Sequence, residues 1–218
     1  MTQKINYQRE MERILAEETA ASHVPRLLLH SCCAPCSSYV LEYLSDYFSI
    51  TDFFYNPNIS PEEEYQKRSV ELQRLIRSTP FRHPVTFAEG SYQPEDFFQM
   101  AKGLETVPEG GERCFRCYEL RLREAAREAV RRSCDYFTTT LSISPLKNAQ
   151  KLNEIGKRLE KEYGVKYLVS DFKKKDGYKR SIELSHLYNL YRQNYCGCVF
   201  SQREAQERER ARREQTSG

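Results

Sequence analysis

The sequence predicts an α/β protein: a Rossmann-like parallel sheet with helices on both faces and a helical carboxyl-terminal region. Three observations carry that expectation. Short apolar runs of strand length alternate with longer segments whose apolar residues recur at helical spacing. The segments between the runs are long enough for helical crossovers, which join parallel strands with right-handed connections. A chain of 218 residues that is 39% apolar, with 11 Phe and 15 Tyr, can bury roughly 70% of its unfolded surface.

The elements follow in order. Residues 3–19 set Ile5, Met11, Ile14 and Leu15 in a charged background, an amphipathic helix lying on the domain. Leu27–Leu29 is a buried strand, His30–Cys36 the loop after it, and Ser37–Tyr47 a helix. Ile50–Tyr55 is the second strand, closed by the turn-rich Asn56–Pro61. Pro61 opens a helix carrying Tyr65, Val70, Leu72, Leu75 and Ile76. Pro84–Ala88 is the third strand and Pro94–Ala101 a short helix. A long helix spans about Glu112–Arg132, followed by strand Asp135–Leu141, helix Asn148–Tyr163 and strand Lys166–Ser170. A helix near Ser181–Leu190 precedes a tail of mixed charge. The expected organisation is an amino-terminal helix over 1–25, one catalytic domain over 26–200 and a frayed or disordered tail over 201–218.

Composition narrows the function classes. The amino terminus lacks the apolar run of a secretory signal, and no stretch approaches the ~20 apolar residues of a membrane span. A cytoplasmic protein with reduced thiols is expected, and no membrane partner. There, clustered cysteines bind metal or do redox chemistry more often than they staple a fold. Lys+Arg 34 against Asp+Glu 31 gives a net charge of only +3. That charge is uneven: residues 173–180 hold five basic residues against one acidic, and residues 111–132 hold seven Arg against four Glu.

Seven of the eight cysteines fall into three groups: Cys32, Cys33 and Cys36; Cys114 and Cys117; Cys196 and Cys198. Cys134 stands alone beside a strand start and reads as a small buried hydrophobe. The first group lies past the carboxyl end of the first strand, where open parallel sheets place their ligands. The second is an i,i+3 pair at a helix start, whose amino end favours thiolates. In the third, Gly197 lets the backbone turn tightly enough to aim two sulfurs at one centre. Structural zinc uses four ligands and leaves three over; a dithiol relay needs two or four. An iron–sulfur cluster takes four thiolates and leaves three for a second metal or a redox pair. No G-x-G-x-x-G or P-loop signature is present, so electrons are expected from an external donor.

The segments LLLHSCCAPCSSYV, YNPNISPEEEYQKR, RCFRCYELRL, FTTTLSISPLKN and YCGC together resemble the epoxyqueuosine reductase QueH family, in order and over roughly residues 26–200. The resemblance implies the adenine-nucleotide α-hydrolase (PP-loop-like) type of sheet. It also implies reduction of epoxyqueuosine to queuosine at the wobble position of tRNA, with the epoxide oxygen leaving as water. It further implies a [4Fe-4S] cluster beside a single mononuclear iron. Cys32, Cys33, Cys114 and Cys117 match the cluster ligands. Cys196 and Cys198 match a pair that holds the iron or forms a redox disulfide. The resemblance also implies that Cys36, at a position where some relatives carry aspartate, joins Cys196 and Cys198 at the iron.

His30, two residues before the first ligands, stands either as a proton donor or as a satisfied neighbour of the site. Thr138–Ser144, Asn56, Asn58, Glu64, Tyr65 and Arg68 are expected near the substrate. For tRNA, the two basic stretches supply phosphate contacts, and Tyr178, Tyr188, Tyr191 and Tyr195 supply rings for unstacked bases. The alternatives are a PP-loop-like tRNA-thiolating enzyme and a structural-zinc RNA-binding protein.

Overall fold

The computed structural model describes residues 5–20 and 23–216. Five parallel strands form one sheet: β1 (Arg26–Ser31), β2 (Ser49–Phe54), β3 (Val85–Glu89), β4 (Tyr136–Thr139) and β5 (Lys166–Tyr167), in the order β3-β2-β1-β4-β5. β1 is central. It runs in register with β2 from Arg26↔Ser49 to Ser31↔Phe54, and with β4 from Leu27↔Tyr136 to His30↔Thr139. The strand order reverses between β1 and β4, and a parallel sheet opens a crevice at the carboxyl ends of such a pair.

Strand alternation explains the two faces. Leu28, Phe53 and Phe137 pack toward α5 (Glu112–Arg131) and α6 (Ala149–Tyr163), meeting Leu122, Ala125, Ala129, Leu152 and Leu159. Leu27, Leu29 and Ile50 point the other way, onto α1 (Tyr7–Thr19) and α2 (Ala34–Leu44), meeting Met11, Leu15, Val40, Leu41 and Leu44. The row of alanines on α5 lets that long helix lie close to the sheet. α3 (Glu62–Ser78) covers the β2 end through Tyr65, Leu72 and Leu75, which pack on Phe54. α4 (Pro94–Ala101), α7 (Gly177–Leu187) and α8 (Val199–Thr216) complete the helices. None of them, among the described residues, is long and apolar enough to cross a membrane.

Several boundaries differ from expectation. α2 starts at Ala34, with Cys33 as its amino-terminal cap and Pro35 in its first turn, so Cys36 is helical rather than in a loop. Proline near N1 fixes the backbone for helix entry, and the apolar spacing does not report it. β4 stops at Thr139 and continues as a 3-10 turn, Thr140–Ile143. β5 keeps two residues because Ser170 N–H bonds Asn153 Oδ1 on α6 instead of a strand. α7 spans Gly177–Leu187, earlier than the expected Ser181–Leu190. The boundary at 200/201 falls inside α8: Ser201 and Ala205 are buried, and Glu204 pairs with Arg113 on α5. Residues 3–4 of the expected first helix and 217–218 of the tail lie outside the described residues.

Candidate metal centre and substrate cleft

The crevice between β1 and β4 is where the thiols gather. As β1 ends, Cys32 and Cys33 lead into α2, and Cys36 follows in its first turn. Their three sulfurs lie within 4.8 Å of one another, with Cys32 and Cys33 Sγ 3.8 Å apart. This group could hold a metal ion. Hydrogen bonding with Cys33 and Cys36 holds the Cys32 thiol well below its ordinary value, and the Arg121 charge adds to that. The same sharing pushes Cys33 and Cys36 up, Cys36 by its bonds to Cys32 and Cys33 and by burial. The three sulfurs sit at the amino-terminal, positive end of α2.

Facing them, Cys114 and Cys117 on the first turns of α5 line a small chamber together with Cys196 and Cys198. Burial pushes the Cys117 thiol up to about 12, and raises Cys114 and Cys198 as well. Gly197 has φ +123°, and a Cβ there would sit 2.9 Å from Ile59 Cγ1 and 3.1 Å from Arg68 Nη1. Only glycine makes that turn, which sets both flanking cysteines toward the chamber. Cys196 also lines the larger cleft of about 360 Å³ on the trio's side, so it joins the two halves. No pair among the eight cysteines is bridged.

Buried cations surround the thiols, among them Arg68, Arg113, Arg121 and Lys147. Arg68 donates from Nε to Glu64 Oε1 at 2.7 Å and from Nη1 to the Cys196 carbonyl at 2.9 Å. Arg121 donates from Nη2 to Asn56 Oδ1 at 2.7 Å. Lys147 Nζ bonds Glu109 Oε1 at 2.8 Å and lines both the cleft and the chamber. Burial pulls Lys147 down, but Cys196, Tyr118 and Glu109 together hold it well above its ordinary value. Buried polar atoms of residues lining the two cavities, among them Asn58 Oδ1, Tyr118 Oη, Arg68 Nη2 and Arg113 Nε, have no hydrogen-bond partner. Native interiors rarely leave such atoms unpaired without a bound group or water. The thiol trio, the neighbouring chamber of four thiols, the buried cations and these free polar atoms fit an anionic metal–thiolate centre.

The structure sorts the other expected site residues. His30 is fully buried, with Nδ1 2.9 Å from Thr139 Oγ1 and Nε2 3.1 Å from the Tyr55 carbonyl. Burial, with Arg121 close by, lowers it to about 3, and it lines neither cavity; the neutral ring braces the β1–β4 junction. Asn58 and Arg68 reach the cavities, but Asn56 and Glu64 hold the two arginines, and Tyr65 packs on Phe54 and Tyr92. In the hydroxyl run, Thr138, Thr139 and Ser142 serve the protein's own backbone and side chains, and Ser144 lines the cleft. Cys134 packs in the core behind α5. Tyr178 and Tyr195 line the cleft.

Sequence reasoning passed over Arg121, although it stands four residues after Cys117, on the same helical face. It also read α5 as a basic surface. In the fold, Arg113, Arg116, Arg123, Arg127, Arg131 and Arg132 all pair with carboxylates, and Arg121 is internal. That helix is not a free cationic face.

The sheet order defines a PP-loop-type α/β protein, and its crevice holds a cysteine trio that could bind a metal ion. A solved structure with this fold is "U34-tRNA thiolase NcsA from Methanococcus maripaludis with its [4Fe-4S] cluster", at TM-score 0.50 and 12% identity, covering 88% of this chain and 67% of that one. The family model for epoxyqueuosine reductase QueH matches residues 27–204. Curated relatives bearing that name are 45% identical in Staphylococcus epidermidis, over 91% of this chain and 85% of theirs, and 38% in Thermotoga maritima, over 84% and 93%. The chain belongs to the epoxyqueuosine reductase QueH family.

Proposed function

We propose that this protein reduces epoxyqueuosine to queuosine in tRNA. The observation that carries the reading, beside family membership, is the Cys32, Cys33 and Cys36 trio at the strand-order reversal, whose cleft shares Cys196 with a chamber lined by Cys114, Cys117 and Cys198. The reaction consumes two electrons and two protons: both epoxide C–O bonds break, an alkene forms and the oxygen leaves as water. A [4Fe-4S] cluster with an adjacent iron supplies one-electron steps and Lewis acidity when bound. Cys32, Cys33, Cys114 and Cys117 would hold the cluster; Cys36, Cys196 and Cys198 would hold the iron, or Cys196 and Cys198 would cycle as a disulfide. Each set draws on both walls of the crevice. An external donor supplies the electrons.

The chain's own side chains do the rest. Lys147 Nζ holds a proton at the wall shared by the cleft and the chamber. Arg68 and Gln193 present polar groups to the cleft, which is of the size that encloses one modified base. Tyr195, beneath the Arg68 guanidinium at 5.3 Å, closes one side of it. Anaerobically reconstituted protein, given a reductant and tRNA bearing epoxyqueuosine, is expected to be brown and to yield a nucleoside lighter by one oxygen. Colourless protein holding zinc, or an unchanged nucleoside with a loaded cluster, rejects the reading.

A further inference from the structure

Two cavities meet on one turn. The cleft beside the thiols is bounded there by Ser144, Pro145 and Leu146. On the far side of the turn an open groove of about 810 Å³ runs past Tyr7, Asn148, Gln150, Lys173 and Lys174. Lys147 lines both. On the crest between them Leu146 is 61% exposed. The turn that presents it is fixed: Ser144 N–H bonds the Leu141 carbonyl, Leu146 N–H bonds Ser144 Oγ, and Lys147 N–H bonds the Ser144 carbonyl. Below the crest, Lys147 is clamped to Glu109.

Cations without carboxylate partners stand on both sides of this crest. Lys174 lines the groove, exposed and with no ion pair among the described residues; its neighbours Lys173 and Lys175 are taken by Asp171 and Glu12. Arg192 lines the cleft, exposed, with a hydrogen bond to Ser185 Oγ. Tyr178, also partly exposed, stands at the cleft. A ligand that suits this relief places one flat unit in a closed cleft and the next in an open groove. An apolar side chain lies between the two units, and negative charge runs past the cations. An unpaired nucleic-acid strand has that form.

We propose that Leu146 is a wedge that separates the nucleotide entering the cleft from its neighbour, which lies in the groove beside Lys174. The proposal rests on the RNA reading above and adds the residue that opens the stack. An apolar side chain inserted between bases takes over the contact each base loses, so that unstacking is offset on the protein side.

The test uses an unmodified anticodon stem-loop RNA with 2-aminopurine next to the wobble nucleotide, and the cluster-loaded protein. Binding to the unsubstituted protein should raise the 2-aminopurine emission as the base unstacks. Leu146→Ser should remove most of that rise and weaken binding roughly tenfold, and Leu146→Met should restore both. Leu146 is exposed, so an unchanged melting temperature in Leu146→Ser establishes that the variant is folded. The wedge is overturned if the RNA binds without a rise in emission, or if Leu146→Ser raises it as the parent does. It is also overturned if the parent converts modified tRNA but does not bind the stem-loop. Failure of the reduction itself is read separately, from the nucleoside product, because the emission assay needs no turnover.

Discussion

The two walls of the thiol crevice are built by different means. Cys32, Cys33 and Cys36 come from a single strand-to-helix junction, and their three sulfurs lie within 4.8 Å of one another. Cys114, Cys117, Cys196 and Cys198 come from the start of α5 and the Gly197 turn, distant in the chain and joined only by the fold. On the near wall, hydrogen bonding with Cys33 and Cys36 holds the Cys32 thiol low, whereas burial drives the Cys114, Cys117 and Cys198 thiols upward. One wall is organised locally and the other waits for tertiary structure.

Single substitutions can break that comparison, with the largest effect expected at the proposed cluster ligands. Cys33→Ala and Cys117→Ala, one from each wall, should each abolish the brown chromophore and the reduction. Cys198→Ala should keep most iron and sulfide while activity falls by at least an order of magnitude. Iron and sulfide analysis of anaerobically reconstituted variants decides it. If Cys36→Ala bleaches the protein and Cys117→Ala does not, each wall holds its own metal and the assignment across the walls is wrong.

The contrast also explains what was legible in the sequence. The near wall was readable because its residues are neighbours: an apolar run, three cysteines and a helix place the thiols at a strand end. The far wall was readable as two motifs, but nothing in their spacing brought them to one chamber. Arg121 escaped because a buried cation looks like a surface one until its partners are known; it meets Asn56 across 65 positions. The same blindness made α5 look basic, when glutamates one turn away neutralise its exposed arginines. Tyr65 was misplaced because an aromatic beside a motif carries no sign of which face it takes.

The near wall has a second property, a carboxyl buried behind it. Asp52 on β2 is fully buried beside Ser31, and neither of its oxygens finds hydrogen-bonding geometry. Burial lifts it from 3.8 to about 8, with Ser31 lowering it and Cys32 adding to the rise. The folded state therefore keeps a proton that the unfolded chain releases near 3.8. The resulting stability is fully present below that value and is lost as pH rises through about 8. Asp52→Asn keeps the shape without the charge. Denaturant unfolding at pH 5 and pH 8 should show a much smaller difference in the variant, and a gain of a few kcal/mol over the parent at pH 8. Equal pH dependence in both proteins would mean that Asp52 is ionised in place.

The smallest effect concerns the two basic stretches, which separate cations already paired from those left for a ligand. On α5, Arg116 faces Glu112, an exposed pair that contributes little. In the stretch 173–180, Lys173, Lys175 and Arg180 are paired with Asp171, Glu12 and Glu42, which leaves Lys174 and Lys179 without ion pairs among the described residues. Lys174→Ala should weaken stem-loop binding about threefold at low salt and reduce the slope of log affinity against log salt by about 1. Arg116→Ala should leave both within error, although it removes the same formal charge. A titration series across salt concentrations separates the two cases. An equal loss in both variants would show that RNA senses the net charge of the molecule, whereas a loss confined to Lys174 ties the strand to the groove beside Leu146.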